Sequence, residues 1–152
     1  MRKFVFLALA LALSAAPVSA QWGNARWITA GEGNADAPNS WVRFRRDVSL
    51  SSLPDRVECS ICVDSKYWLY VNGKQVVFEG GLKRGPNPTD SYYDRLDLRP
   101  YLRKGANRVE LLVWHFGKTG FSHIDSGRMG LLFSAPAIGL FSSGMWESRL
   151  LE

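Results

Sequence analysis

The stretch Asp64-Ser65-Lys66-Tyr67-Trp68-Leu69-Tyr70-Val71-Asn72-Gly73-Lys74 decides the fold class. Tyr67, Leu69 and Val71 alternate with Trp68 and Tyr70, the period-two pattern of a half-buried strand. Asn72-Gly73 supplies two residues that tolerate positive φ, the strongest short-range signal of a hairpin. Residues 75–78 return as its partner strand.

Working outward, the same period recurs. Residues 22–27 read as a first short strand and 31–39 as a loop. In 40–50, Val42, Phe44, Val48 and Leu50 face one way, with Arg43 and Arg45 opposite. Arg46 interrupts the alternation and marks a candidate bulge. Further strands are expected at 56–63, 66–72, 92–98, 108–116 and 129–134. Residues 100–102 form a 3₁₀ turn or a short strand. No segment keeps a helical period. Many short strands separated by turn signals predict an all-β sandwich of jelly-roll type. Two long irregular segments stand out, 79–91 and 117–127, and loops of that length within a domain often carry function.

The N-terminus reads as an address. Arg2 and Lys3 precede an uncharged apolar run over 4–16, and Val18-Ser19-Ala20 is a small-residue cleavage site. The run falls short of the roughly 20 residues of a membrane-spanning helix. Residues 1–20 are therefore expected to be a signal peptide, and the protein to be secreted or periplasmic. The formal charge is +5 over 152 residues, and two of the positive charges lie in the signal. The others are too scattered for a nucleic-acid footprint. The reading places a sandwich over 21–134 and the truncated start of a following segment over 135–152.

Cys59-Ser60-Ile61-Cys62 invites a redox or zinc reading. A redox pair needs a helix N-terminus, and a zinc site needs a second ligand pair. Here the segment alternates as a strand, which puts the two sulfurs on opposite faces about 10 Å apart. A disulfide needs Cα atoms within about 7 Å. Cys59 is expected to be a small buried residue.

Several motifs together resemble the N-terminal, galactose-binding-like β-sandwich domain of bacterial α-L-rhamnosidase-type glycoside hydrolases. They are Ala25-Arg26-Trp27-Ile28, Trp41-x-Arg43-Phe44-Arg45-Arg46, the 64–74 block, and Lys83-Arg84-Gly85-Pro86-Asn87 with Tyr92-Tyr93-Asp94. Two more are Leu98-x-Pro100-Tyr101-Leu102-x-Lys104-Gly105-x-Asn107 and the run from Trp114-His115-Phe116-Gly117-Lys118 to Gly120-Phe121-Ser122-His123. Trp146-Glu147-Ser148-Arg149 is similar to a strand that follows in that family. The hairpin and the Leu-x-x-Gly-x-Asn turn are common to many such sandwiches, whereas the 83–87 and 114–123 blocks are more particular to this one. The resemblance implies a jelly-roll fold, a sugar-associated role, and a catalytic domain of a glycosidase as partner. In that family an α/α barrel carries the acid and base of an inverting hydrolysis, and this chain has no such barrel. Inversion needs two carboxyls about 6.5–9.5 Å apart across the bond. Catalysis is therefore not carried over. The expected function is a non-catalytic accessory domain, with a free-standing carbohydrate-binding module as the alternative.

Sugars are bound by aromatic faces and by planar polar groups that pair with hydroxyls. The two long loops offer both, with rhamnose-containing carbohydrate as the implied ligand. The candidates are Arg84, Asn87, Asp90, Tyr92, Tyr93 and Asp94 in one loop, and Trp114, His115, Phe121, His123 and Asp125 around the other. Tyr92 and Trp114 read equally well as core residues. Ser122, His123 and Asp125 have the composition of a hydrolase triad, but neighbours in sequence cannot converge as one. His115, His123 and Asp125 could ligate a metal, but metal sites usually want a third strong ligand and a second shell, so no metal or other cofactor is assigned. A structural calcium held by loop carbonyls and Asp90 or Asp94 is an alternative. Asp64 is expected to accept backbone N–H bonds from the Ser65-Lys66 turn.

Overall fold

The computed structural model describes residues 22–82 and 91–151. The expected signal peptide lies outside the described residues, as do Arg84, Asn87 and Asp90. Nine strands follow in order: β1 (Ser40–Leu50), β2 (Glu58–Asp64), β3 (Lys66–Val71), β4 (Lys74–Gly81), β5 (Asp94–Asp97), β6 (Gly105–His115), β7 (Gly130–Ala135), β8 (Leu140–Phe141) and β9 (Glu147–Leu151). They form two antiparallel sheets, one ordered β4-β3-β6-β1-β9 and the other β5-β2-β7-β8. The expected β-sandwich is what the chain forms. No helix among the described residues is long and apolar enough to cross a membrane.

The alternation seen in the sequence sets the layers. Val42, Phe44, Tyr67, Leu69, Val71, Val109, Leu111 and Val113 turn inward from the larger sheet and are wholly buried. Val57, Cys59, Ile61, Leu131 and Phe133 meet them from the smaller one. Cys59 and Cys62 are both buried and unbridged, and burial pushes the Cys59 thiol up, out of reach of thiolate chemistry. The hairpin turns at Asn72 and Gly73 with φ of 52° and 79°. Two positive values in succession match the twist of the strands it joins. Asn72 and Asn107 then bind each other and the nearby backbone, with Asn72 Nδ2 donating to Asn107 Oδ1 at 2.9 Å and Asn107 Nδ2 to the Arg103 carbonyl at 2.7 Å.

The structure differs from the sequence reading in four places. Residues 22–27 are turns and coil, followed by a single-residue bridge from Ile28 to Leu131. Arg46 makes no bulge. It pairs in register with Val109, and its stem lies on the inward side while Nη1 donates to the Met145 carbonyl at 2.8 Å. The ladder irregularity falls instead between β3 and β4, at Leu69. Residues 135–151 are not a separate segment. β8 pairs with β7 and β9 with β1, Phe44 opposite Ser148, so the sandwich runs on to Leu151.

Candidate functional site

Three elements end together at one pole of the sandwich. β2 closes at Asp64, β3 opens at Lys66 and β6 closes at His115. His115 continues the inward row of Val109, Leu111 and Val113, which places a titratable ring in the core. The loop after β6 folds back over this pole, closed on itself by the Gly120 N–H donating to the His123 carbonyl at 2.8 Å.

The result is a buried polar cluster. Ser65 Oγ donates to Asp64 Oδ1 at 2.6 Å and accepts from the Phe116 N–H at 3.1 Å. His123 Nε2 lies 3.3 Å from Ser65 Oγ and 3.6 Å from Asp64 Oδ1. Ser126 donates to Asp64 Oδ2 through its N–H at 3.2 Å and through its hydroxyl. His115 Nδ1 stands 3.4 Å from Asp64 Oδ1, and its Nε2 stands 4.0 Å from Asp125 Oδ1. Burial alone would lower the His115 pKa, but Asp64 foremost, with Asp125 and Asp36, outweighs it and holds the imidazole above its usual value. Asp64 accepts from the Ser65 hydroxyl and from Ser126 through its hydroxyl and its backbone N–H. The Ser65 hydroxyl thus lies between Asp64 and His123.

Of this cluster, Asp64 and Ser126 line an open cleft of about 440 Å³, together with Trp27, Thr29, Arg128 and Gly130. Trp27 is 51% exposed. Its indole lies across Gly130, where a Cβ would come within 2.9 Å of the ring, so glycine is what lets the ring lie down. Neither Trp27 nor Arg128 stands among the sequence candidates. The signal was the Trp27 motif itself, which reads as a strand until the bridge at Ile28 is seen.

The sequence candidates divide. His115, His123 and Asp125 come together, joined by Asp64. Asp94 is an internal staple, accepting from the Tyr67 hydroxyl at 3.1 Å and from the Gly81 N–H at 2.9 Å. Tyr92 and Tyr93 are exposed, and Tyr93 packs edge-on against Trp22 at 5.5 Å. Phe121 projects fully into solvent. Neither Tyr92 nor Trp114 is a core residue.

Trp114 belongs to a second feature, on the outer face of the larger sheet. Trp41 stacks between Trp68, at 5.4 Å and 28°, and Trp114, at 4.9 Å and 7°. Phe78 meets Trp68 edge-on at 6.3 Å, and Phe116 meets Trp114 at 4.5 Å. The Trp114 indole N–H is fixed on Asn39 Oδ1 at 2.9 Å. The sheet register dictates the row, since Trp41 is the direct partner of Trp114.

Fold and site define a class of antiparallel β-sandwich with an aromatic outer face and a polar pole. Comparison with solved structures narrows it. The chain is similar to the GH78 family rhamnosidase of Bacillus sp., at 32% identity and a TM-score of 0.70 over 84% of this chain and 13% of that one. It is similar in fold to the α-L-rhamnosidase of Streptomyces avermitilis (21% identity, TM-score 0.62, 84% and 12%). The same holds for that of Aspergillus terreus (18%, TM-score 0.62, 84% and 17%). The likeness is thus to one domain-sized part of these larger rhamnosidases. No protein-family model and no curated protein matches the chain.

Proposed function

We propose that the chain is a non-catalytic, carbohydrate-associated accessory domain that docks against the catalytic domain of an α-L-rhamnosidase-type glycoside hydrolase. The observation that carries this reading is the Phe78-Trp68-Trp41-Trp114-Phe116 row. A pyranose stacks on a free ring face. Here Trp41 has an indole on each side, and Trp68 and Trp114 each have a phenyl edge as a further neighbour. The five rings run unbroken as an apolar strip, the kind of surface that docks on protein. The 32% identical match within a larger rhamnosidase supplies the kind of partner. A non-catalytic role is supported by how the acids are used: Asp64 and Asp94 accept hydrogen bonds inside the fold, and Asp97 accepts from the Val57 and Arg99 N–H groups. The run over 1–20 supports export, with secretion or the periplasm as destination. The test is titration of the full chain into the Bacillus sp. rhamnosidase from which the matched segment has been deleted, with saturable binding expected.

A second reading, a free-standing carbohydrate-binding module, is favoured by the Trp27 cleft. A half-exposed indole beside Arg128 is the pairing a sugar needs. Isothermal titration with L-rhamnose, repeated with Trp27→Ala, tests it.

A further inference from the structure

Arg43 lies on the outward side of β1, between the wholly buried Val42 and Phe44. Its direct partner on β9 is Arg149, and both are exposed. Side chains paired in this way have Cβ atoms about 4.5–5.5 Å apart, and like charges placed there repel. The other arginines of this face are matched. One rung along, Arg45 meets Asp47 at 3.1 Å and Glu147 at 3.8 Å, and Arg108 meets Asp47 at 2.7 Å. Among the described residues, Arg43 and Arg149 have no ion pair and no side-chain hydrogen bond. Glu32 lines the same open cleft as Arg149, about 960 Å³ along β9, without pairing with it. Two uncompensated guanidinium groups side by side cost the sheet stability rather than adding to it. On the next rung in the other direction, Trp41 stands opposite Leu151, so the pair borders the aromatic row.

We propose that Arg43 and Arg149 are a carboxylate-binding pair, which takes an aspartate or glutamate side chain of the glycosidase catalytic domain that docks on the adjoining aromatic row. This rests on the docking reading above and adds the chemistry of the partner, an acidic side chain beside an apolar strip. A guanidinium group presents its donors in a planar fork that matches a carboxylate. One negative charge set between the two arginines also removes the repulsion that the free chain carries. The rings beside the pair are covered as the partner seats, which draws the contact out of bulk water and strengthens it. The acid is assigned to protein rather than to an acidic polysaccharide because Trp41, the ring nearest the pair along the strand, is stacked on both sides and offers no free face to a sugar.

The test is calorimetric titration of the full chain, wild type and Arg43→Gln/Arg149→Gln, into the Bacillus sp. rhamnosidase lacking its matched segment, with thermal melts of both chains alone. Wild type is expected to bind saturably and more weakly as salt is raised. The double variant is expected to bind about tenfold more weakly or worse, with a melting temperature equal to or above that of wild type. Affinity unchanged in the variant overturns the carboxylate contact and leaves the docking reading standing. No binding by folded wild type overturns both. A lowered melting temperature in the variant makes the pair structural and overturns the proposal. So does saturable heat from a galacturonate oligosaccharide that the variant loses, which assigns the pair to an acidic sugar.

Discussion

Ser65 Oγ and His123 Nε2 lie 3.3 Å apart although 58 residues separate them. That contact joins the end of a core strand to a glycine-rich loop, and it is the pivot of the polar pole. It rests on Ser65, whose hydroxyl donates to Asp64 and accepts from the Phe116 backbone. Ser65→Ala leaves a buried N–H without its acceptor, at a cost of about 1–3 kcal/mol. Chemical denaturation should show that loss, with an unchanged m-value.

Gly80 is fixed by space. A Cβ there would fall 2.4 Å from the Tyr67 ring, and that ring is wholly buried with its hydroxyl on Asp94. Gly80→Ala is expected to destabilise by about 1–3 kcal/mol through overpacking. The double variant Gly80→Ala/Tyr67→Phe should not recover the loss, because the nearest atoms are ring carbons that phenylalanine keeps. The melting temperatures of the three proteins check this.

Asp47 joins β1 to β6 through Arg108, 2.7 Å away, with Arg45 at 3.1 Å. Hydrogen bonds from Arg108 and then Arg45 lower its pKa to about 2. A depressed carboxylate contributes stability above its unfolded value, near 3.8, and loses it as pH falls toward 2. The pair is solvent-exposed, so the contribution is small, about 0–1 kcal/mol. Unfolding curves at pH 5 and about pH 2.5 should show a slightly smaller acid loss in Asp47→Asn than in wild type.

The Trp27 cleft makes a separate prediction. Trp27 is half-exposed and packs mainly on Gly130, so Trp27→Ala should leave the melting temperature almost unchanged. If the cleft takes a sugar, the same change removes its heat of binding. Losing one stacked ring is worth about 0.5–1.5 kcal/mol, a roughly two- to twelvefold weakening.

The fold was legible wherever side chains alternate against a buried face. Tyr67, Leu69 and Val71 announced β3, and Asn72-Gly73 its turn, because those preferences are local. Arg46 misled because a long aliphatic stem can lie inward while its head finds a carbonyl, a contact with Met145 that sequence does not display. Strand β8 was missed because it is two residues long and exists by pairing with β7, and β9 was legible only as the Trp146-Glu147-Ser148-Arg149 motif, its place beside β1 being set by the sheet. Of the candidate site, His115, His123 and Asp125 were visible as residue types. Asp64 was visible only as a turn former, since what brings it to His123 is the sheet topology. Trp27 and Arg128 meet because one bridge at Ile28 lays the N-terminal segment over β7.

The measurement that tests the central claim most directly is calorimetric titration of the full chain into the Bacillus sp. rhamnosidase lacking its matched segment, with wild type and Trp41→Ala/Trp114→Ala in parallel. Saturable binding with one chain per enzyme, lost in a double variant that melts cooperatively, is the predicted result. Absence of binding by folded wild type, together with saturable heat on adding L-rhamnose that Trp27→Ala removes, would contradict the docking role and make the chain a sugar-binding module instead.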